Sequence, residues 1–313
     1  PSAQLRRVVF APMGAGHDAV RERLGRVGAW TFAFDRRTIS QVRADAAAIE
    51  SLGYGALWVP EGSSSRDIFA HLSLLLCATD RITLASGIAN VTARQPEVMA
   101  AGFRTLADAE PDRLVAGIGI GHQYSTAARG IDWALPLSRM RTYLDNMDAA
   151  TAVPAPTEPR RLLAALGDGM LRLSAERASG AHTYFVPVSH TAHARAILGP
   201  EPVLAVEQGV VLGGDRSRAL RIAHEWAQGY LEHPNYADNL RRLGFSDDDV
   251  AGGGSEDLID ATFALGGVDI VAARVREHLE AGADHVCIQV ITDSDADACV
   301  PQLETLAPVL LGS

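Results

Sequence analysis

The chain predicts an α/β protein, a single (β/α)8 TIM barrel with a helical insertion between strand 7 and helix 8, and three observations lead there. Eight strand-like segments alternate with helix-like ones from residue 27 to the end of the 313-residue sequence, an order that suits a closed parallel barrel better than an open doubly wound sheet. The strand-like segments are short continuous runs of Leu, Ile, Val and Ala, as expected for strands buried on both faces. Two of them, Ile82-Thr-Leu-Ala-Ser-Gly-Ile-Ala-Asn90 and Leu114-Val-Ala-Gly-Ile-Gly-Ile-Gly-His122, run straight into polar turns carrying glycine. Such strand ends are where barrel enzymes place their chemistry.

Residues 1–26 form an N-terminal extension outside the alternation, and the barrel domain covers 27–313. Within the extension, Val8-Val9-Phe10 and Gly14-Ala-Gly16-His-Asp-Ala19 imitate a dinucleotide fingerprint. The second strand with an acidic end, needed about 20 residues on, is missing, so that reading is rejected. A strand over 27–34 precedes a helix over 38–52, where Val42, Ala46, Ile49 and Leu52 share one face, Thr38 is the cap candidate and Gly53 the stop. Next come a strand at 56–59, a helix at 67–79 and a strand at 82–88. The following helix begins near Pro96, whose missing N–H costs nothing in a first turn, and ends near Glu110. A strand at 114–119 leads through a long loop to a helix at 137–150. Strands at 161–166 and 181–186 are followed by helices at 169–178 and 191–198, and 203–212 is the seventh strand. The insertion, 213–268, holds a helix-like stretch at 217–227, the loop around His233-Pro234-Asn235-Tyr236, and Gly252-Gly253-Gly254. A connection of this length covers the barrel mouth or builds a subunit contact, and both remain open. A helix at 269–281, a strand at 285–290 and a helix at 298–310 close the chain.

Composition narrows the function. Hydrophobic residues make up 47% of the chain, enough for one large core, yet no apolar run approaches the roughly 18 residues that span a bilayer. Arg6-Arg7 precedes only Val8-Val9-Phe10-Ala11-Pro12-Met13, too short for a secretory core, and a cytoplasmic protein without a membrane partner is expected. Cys77, Cys287 and Cys299 are far apart, which indicates neither disulfides nor a thiolate metal site; they are read as buried small hydrophobes. A net charge of −10 with no basic stripe argues against nucleic acid. All 28 basic residues are arginine, and the absence of lysine removes Schiff-base aldolases, lysine-anchored pyridoxal-phosphate enzymes and Walker-A nucleotide binding.

At the barrel mouth the strand ends deliver Asp35, Glu61, Asn90, His122, Asp168, His190, Glu207, Gln208 and Thr292; Asn90, His122 and Glu207 stand out. His122 is suited to giving or taking a proton near neutral pH. Gly87, Gly117, Gly119 and Gly121 lack a Cβ, so backbone can approach a flat ligand closely; the alternative is that they are small layer residues inside the barrel. Gly167-Asp168-Gly169, between strand and helix, aims backbone N–H groups at a phosphate. Because its charge repels an anion, Asp168 is expected to cap the helix, leaving the phosphate to the backbone of Leu166, Gly167 and Gly169. His190-x-x-His193 lacks a third ligand, so no metal is expected. No Gly-x-Ser-x-Gly supports a nucleophile elbow.

Taken together, Ser86-Gly-Ile-Ala-Asn90, Ala93-Arg-Gln-Pro96, Pro111-Asp-Arg113 and Gly117-Ile-Gly-Ile-Gly121 resemble the luciferase-like monooxygenase family. The likeness is strongest to its branch of oxidoreductases using the deazaflavin coenzyme F420, typical of actinobacteria, and runs over residues 27–311. The resemblance implies a flavin-like ring in the barrel mouth near the ends of strands three and four, backed by a non-prolyl cis peptide that matches Gly87–Ile88. It assigns Ser86, Gly87, Ile88, Ala89 and Asn90 to the backing, Gly119, Ile120 and Gly121 to the ring edge, and Leu166, Gly167, Asp168 and Gly169 to the phosphate. His122, with Glu61 second, would handle the proton that accompanies hydride transfer; Arg94 and Arg129 are candidates to assist the anionic tail.

The implied reaction moves a hydride between F420 and a small organic substrate, in a homodimer. Substrate shape would be set by the insertion and by Trp30, Phe32, Tyr124 and Trp133. The chain departs from several deazaflavin enzymes, having Glu61-Gly62 where they carry Asp-His after the second strand and His122 where they carry Glu after the fourth. Sugar-phosphate dehydrogenase activity is therefore not expected. The alternatives are an FMN-dependent monooxygenase using dioxygen and a catalytically silent flavin-binding homologue.

Overall fold

The eightfold alternation closes into a ring. The computed structural model describes residues 13–62, 64–122, 126, 130, 135–155, 158–294 and 299–312. Its strands are β1 (Val27–Trp30), β2 (Ala56–Val59), β3 (Thr83–Ser86), β4 (Ala89–Asn90), β5 (Leu114–Gly119), β6 (Arg160–Ala164), β7 (Gly180–Thr183), β8 (Val203–Leu212), β9 (Phe263–Gly266) and β10 (His285–Val290). All pairings are parallel, and β10 joins β8 to β1, with Val27 opposite Val286 and His285 opposite Ala205, so the barrel has no free edge.

The helices are α1 (Met13–Leu24), α2 (Ile39–Ser51), α3 (Ile68–Leu76), α4 (Pro96–Ala109), α5 (Pro136–Ala149), α6 (Asp168–Arg177), α7 (Val188–Leu198), α8 (Arg216–Leu231), α9 (Pro234–Arg242), α10 (Glu256–Thr262), α11 (Val268–Glu280) and α12 (Val300–Leu311). Their starts are written in the sequence. Thr38 accepts from the Gln41 N–H at 3.3 Å while the Gln41 side chain accepts from the Thr38 N–H at 3.0 Å, a reciprocal capping box that satisfies two otherwise orphaned donors. Asp67 caps α3 by accepting from the N–H groups of Phe69 and Ala70, and Pro96 occupies the first turn of α4.

Three features depart from simple alternation. First, the third stave is broken: Ala85 lies opposite Val115 and Ala89 opposite Ile118, so four steps on one strand match three on its neighbour. That extra residue is a β-bulge, which bends the strand and re-aims its side chains. Second, part of the N-terminal extension forms α1, whose Val20 and Leu24 pack with Trp58, Val115, Leu162 and Val203 and plug the barrel floor. Gly14 and Gly16 of the fingerprint-like stretch lie inside this helix. Third, the insertion between β8 and α11 contains, besides α8 to α10, the short strand β9, which pairs with the upper end of β8 from Gly209 opposite Phe263 to Leu212 opposite Gly266.

The insertion has its own apolar cluster, including Phe185, Ile222, Leu240, Leu258, Ile259 and Phe263, separate from the one under the barrel helices. Among the cysteines, Cys287 and Cys299 are buried as expected, but Cys77 is exposed at the C-terminal end of α3. None of the helices among the described residues is long and apolar enough to cross a membrane.

Candidate functional site

A cavity of about 1030 Å³ opens at the C-terminal ends of the strands, at the upper limit of the roughly 300–1,000 Å³ typical of ligand sites. Its base is the bulge. The Gly87–Ile88 peptide bond is cis, as the resemblance implied. A Cβ on Gly117 would come within 1.8 Å of the Ser86 carbonyl oxygen, one on Gly119 within 2.5 Å of Ile88 Cδ1, and one on Gly121, at φ +74°, within 2.3 Å of the Asn90 side chain. The space these glycines free is taken by the chain itself: they let the bulge lie down on β5. The bulge in turn presents Gly87, Ile88 and Asn90 to the cavity, next to Ile120 and Gly121.

Ser86, Ala89 and Gly119 are placed behind this surface. Ser86 is fully buried and donates to the Gly117 carbonyl at 2.8 Å, which ties β3 to β5.

Glu61 supports the shelf from the side. One of its oxygens, Oε2, accepts from the Asn90 N–H at 2.8 Å and from Arg94 Nη1 at 2.7 Å; Oε1 pairs with Arg94 Nη2. Both carboxylate oxygens are thus engaged, and Glu61 positions Asn90. Arg94 lies in a separate surface depression with Gln95, Arg139 and Tyr143 rather than against the main cavity.

His122 reaches the cavity at the end of β5, stacked on His233 with ring centres 4.8 Å apart and near Tyr236 at 5.6 Å. Burial, reinforced by His233 and opposed by a hydrogen bond with Asn235, lowers its pKa to about 4. The imidazole is neutral at physiological pH, a form that offers a ring lone pair.

Glu207, the other polar strand-end candidate, is buried inside the barrel instead of lining the cavity. Its Oε2 accepts from the Phe185 N–H at 3.0 Å, and desolvation raises its pKa to about 8. The contact fixes Phe185 at φ +53°, a left-handed conformation uncommon for a bulky side chain.

Leu166 and Gly167 line the cavity, and Asp168 and Gly169 flank them at the start of α6. Gly167, not Asp168, occupies the capping position, and Asp168 makes no cap hydrogen bond. Its carboxylate is drawn off by His193 at 2.9 Å and Arg172 at 3.3 Å, which leaves the first N–H groups of α6 without a side-chain cap and offsets the charge expected to repel an anion. His190 donates to the Leu166 carbonyl at 2.8 Å, so each histidine of the His190-x-x-His193 pair has a structural partner.

Sequence reading missed several cavity residues. Arg242, from α9, approaches this corner, with Nη2 3.7 Å from where a Gly167 Cβ would lie. Trp226, Tyr230 and Tyr236 reach in from the insertion, and His182 and Tyr184 from β7 and its end. Two signals were available: Trp226 and Tyr230 stand one helical turn apart on α8, and His182 and Tyr184 share one face of a strand with period two. Trp30 and Phe32 line the cavity as expected, whereas Tyr124, Arg129 and Trp133 lie outside the described residues.

The model of the luciferase-like monooxygenase family matches residues 8–285, and the chain belongs to that family. Among curated proteins it is similar to 5,10-methylenetetrahydromethanopterin reductases, 29% identical over 89 residues in Methanolobus tindarius and 30% over 92 in Archaeoglobus fulgidus. Those matches span 28% and 29% of this chain and only 27% and 28% of the relatives' length.

Whole-chain likeness is structural. A coenzyme F420-dependent tetrahydromethanopterin reductase from Methanopyrus kandleri superposes with a TM-score of 0.74 at 16% identity, covering 92% of this chain and 99% of that one. An F420-dependent secondary alcohol dehydrogenase gives 0.74 at 14%, with 91% and 98% covered. The FMN-bound oxygenating component of 3,6-diketocamphane monooxygenase from Pseudomonas putida gives 0.66 at 18%, with 90% and 96% covered. At these identities the likeness establishes the barrel.

Proposed function

We propose that the protein is an oxidoreductase that transfers a hydride between coenzyme F420 and a small organic substrate. The observation that carries this reading is the bulged shelf at Gly87–Ile88, which faces a cavity large enough for a tricyclic ring and continues to the uncapped start of α6. The Methanopyrus kandleri reductase and the secondary alcohol dehydrogenase named above, both F420-dependent, support the same reading. When bound, a deazaflavin supplies a ring carbon that gives or takes a hydride.

The chain's own residues do the rest. Gly87 and Ile88 would back the ring, while Glu61 and Arg94 hold Asn90 in register. The backbone N–H groups at the start of α6 and the guanidinium of Arg242 would hold the phosphate end. His122, neutral because it is buried, accepts a proton from, or shares one with, the substrate atom that changes charge. The protein is proposed to act as a homodimer, which light scattering in solution tests.

Fluorescence titration of the purified protein with F420 and with FMN tests the cofactor. Micromolar or tighter binding of F420 with much weaker FMN, and bleaching of F420 without oxygen uptake, supports the proposal. The reverse preference with substrate-dependent oxygen uptake replaces it with a monooxygenase, and tight binding without turnover of any donor or acceptor replaces it with a silent binder.

A further inference from the structure

We infer that the inner half of the cavity is a subsite for a flat, uncharged aromatic substrate carrying a hydrogen-bond donor for His182 Nε2 and an acceptor for the Trp30 Nε1–H. This rests on the cavity being the active site and names the class of molecule that enters it. The first observation is a closed circuit of rings on its wall. Trp30 lies 4.5 Å from Phe32, Phe32 5.8 Å from Trp226, Trp226 6.2 Å from Tyr230, Tyr230 5.1 Å from Tyr184, and Tyr184 5.4 Å from Trp30, all centre to centre and tilted or edge-on. Trp30, Phe32 and Tyr184 come from the barrel and Trp226 and Tyr230 from the insertion, so the wall exists only where the two meet. Tilted rings offer edges and faces to a further ring at favourable geometry.

The second observation is independent of the first. Trp30 is 2% exposed and His182 3% exposed, and in each a buried ring nitrogen has no hydrogen-bond partner among the described residues, although both residues line the cavity. His182 Nδ1 lies 3.2 Å from the Ala205 carbonyl. A carbonyl only accepts, so Nδ1 carries the proton and Nε2 is a bare lone pair. Stacking on Trp58, at 4.4 Å and 18°, fixes the ring, and burial keeps it neutral. A donor and an acceptor shut away unpaired weaken the free protein and strengthen a complex that pairs them.

Charge decides against ionised substrates. Arg36, Glu225, Asp238 and Arg242 are exposed residues at the cavity rim, and the two partly buried carboxylates in its lining are engaged, Glu61 by Arg94 and Asp35 by the Arg66 N–H. Deeper in, His182 is neutral, and so is the buried Glu207 carboxyl behind Phe185 below about pH 8. An unpaired charge carried to this depth has nothing to compensate it.

Three probes of one shape separate the roles: indole, which donates; 1-indanone, which accepts; and indane, which does neither. Calorimetry on the wild type is expected to show indole and 1-indanone binding about tenfold tighter than indane. His182→Phe, which keeps the stack on Trp58, should erase the advantage of indole alone, and Trp30→Phe that of 1-indanone alone. Both variants should melt somewhat lower than wild type, because His182→Phe gives up the Nδ1–H bond to the Ala205 carbonyl and Trp30→Phe removes buried ring volume; the readout is therefore the difference between probes within each folded variant. His182→Leu serves as the second variant if His182→Phe fails to fold.

No preference over indane in the wild type, or equal loss for both polar probes in either variant, would overturn the inference. Titration of F420 and FMN into the same proteins keeps the two readings apart. Failure of both cofactors to bind while the probes discriminate sinks the proposed function, and cofactor binding without discrimination sinks the subsite.

Discussion

Removing Arg94 tests whether Glu61 is a structural support or a group free to exchange protons. The two side chains are 10% and 6% exposed and paired through both oxygens of Glu61. The guanidinium also lies 5.0 Å from the centre of the Phe69 ring. In Arg94→Ala the Glu61 carboxylate would stay buried with the Asn90 N–H as its one remaining charge-stabilising donor. A buried ion pair broken on one side costs about 3–5 kcal/mol. At about 2 °C per kcal/mol for a chain of this size, that is a fall of roughly 6–10 °C in melting midpoint.

The double variant Arg94→Met with Glu61→Gln removes both charges and keeps an oxygen for the Asn90 N–H. Replacing both partners is often nearly neutral, so it should recover most of the loss. Urea denaturation followed by circular dichroism gives both values, and cofactor titration should show weaker binding for the single variant, in which Asn90 loses its register. A loss below about 1 kcal/mol for Arg94→Ala, or a double variant as unstable as the single one, would refute the assignment of Glu61 as a buttress.

Other consequences of the structure can be measured as directly. Arg242→Ala should weaken binding of phosphate-bearing F420 or FMN by roughly tenfold, as for one charge-assisted contact, and leave riboflavin, which has no phosphate, unchanged in the same titration. Gly117→Ala sets a Cβ 1.8 Å from the Ser86 carbonyl oxygen, a backbone contact that cannot swing away, and should cost at least the roughly 1–3 kcal/mol of an overpacked core in urea melts.

Acid should unfold the protein early. His71, His122, His190 and His285 are lowered to about 4, and His182 and His278 to about 3, by burial. The unfolded chain takes up protons below about pH 6.5 that the folded one refuses, so stability falls as pH drops from there towards 4, a trend that circular dichroism against pH will show. Glu207 has the opposite sign. With its pKa raised to about 8, its contribution is whole below the usual carboxylate range and lost as pH rises through about 8, so Glu207→Gln should gain on the wild type by up to roughly 1.4 kcal/mol per pH unit over that window.

What was legible in the sequence was what neighbours in sequence determine. Thr38, Asp67 and Pro96 mark helix starts through contacts within four residues, and continuous apolar runs mark the staves because both faces of each are covered. The glycine clusters located the shelf, although the space they free is filled by Ser86, Ile88 and Asn90 and reaches the cavity only through them. The rest depends on long-range encounters that no local pattern carries. Glu61 finds Arg94 across 33 positions, and Asp168 is taken from its expected capping role by His193, 25 positions away. Strand β9 and helix α1 escaped because each is stabilised by a surface that only the assembled barrel provides.

The position of the cavity follows from how the apolar surface is divided. The barrel buries its staves under the surrounding helices and closes its floor with α1, while the insertion buries a separate cluster around Phe263, Leu240 and Ile259. Two cores that each close on themselves meet along a seam that neither fills, and the seam must be lined by residues tolerant of both apolar and polar contact. Aromatic rings with polar edges meet that requirement, and Trp30, Phe32 and Tyr184 from one side face Trp226, Tyr230 and Tyr236 from the other. Glu207 sits at the join, holding the Phe185 backbone where β7 leaves the barrel and the insertion's own core begins. A change that loosens this join without touching any cavity-lining residue should therefore alter substrate affinity before it alters cofactor affinity, because, Arg242 apart, the groups assigned to the cofactor belong to the barrel.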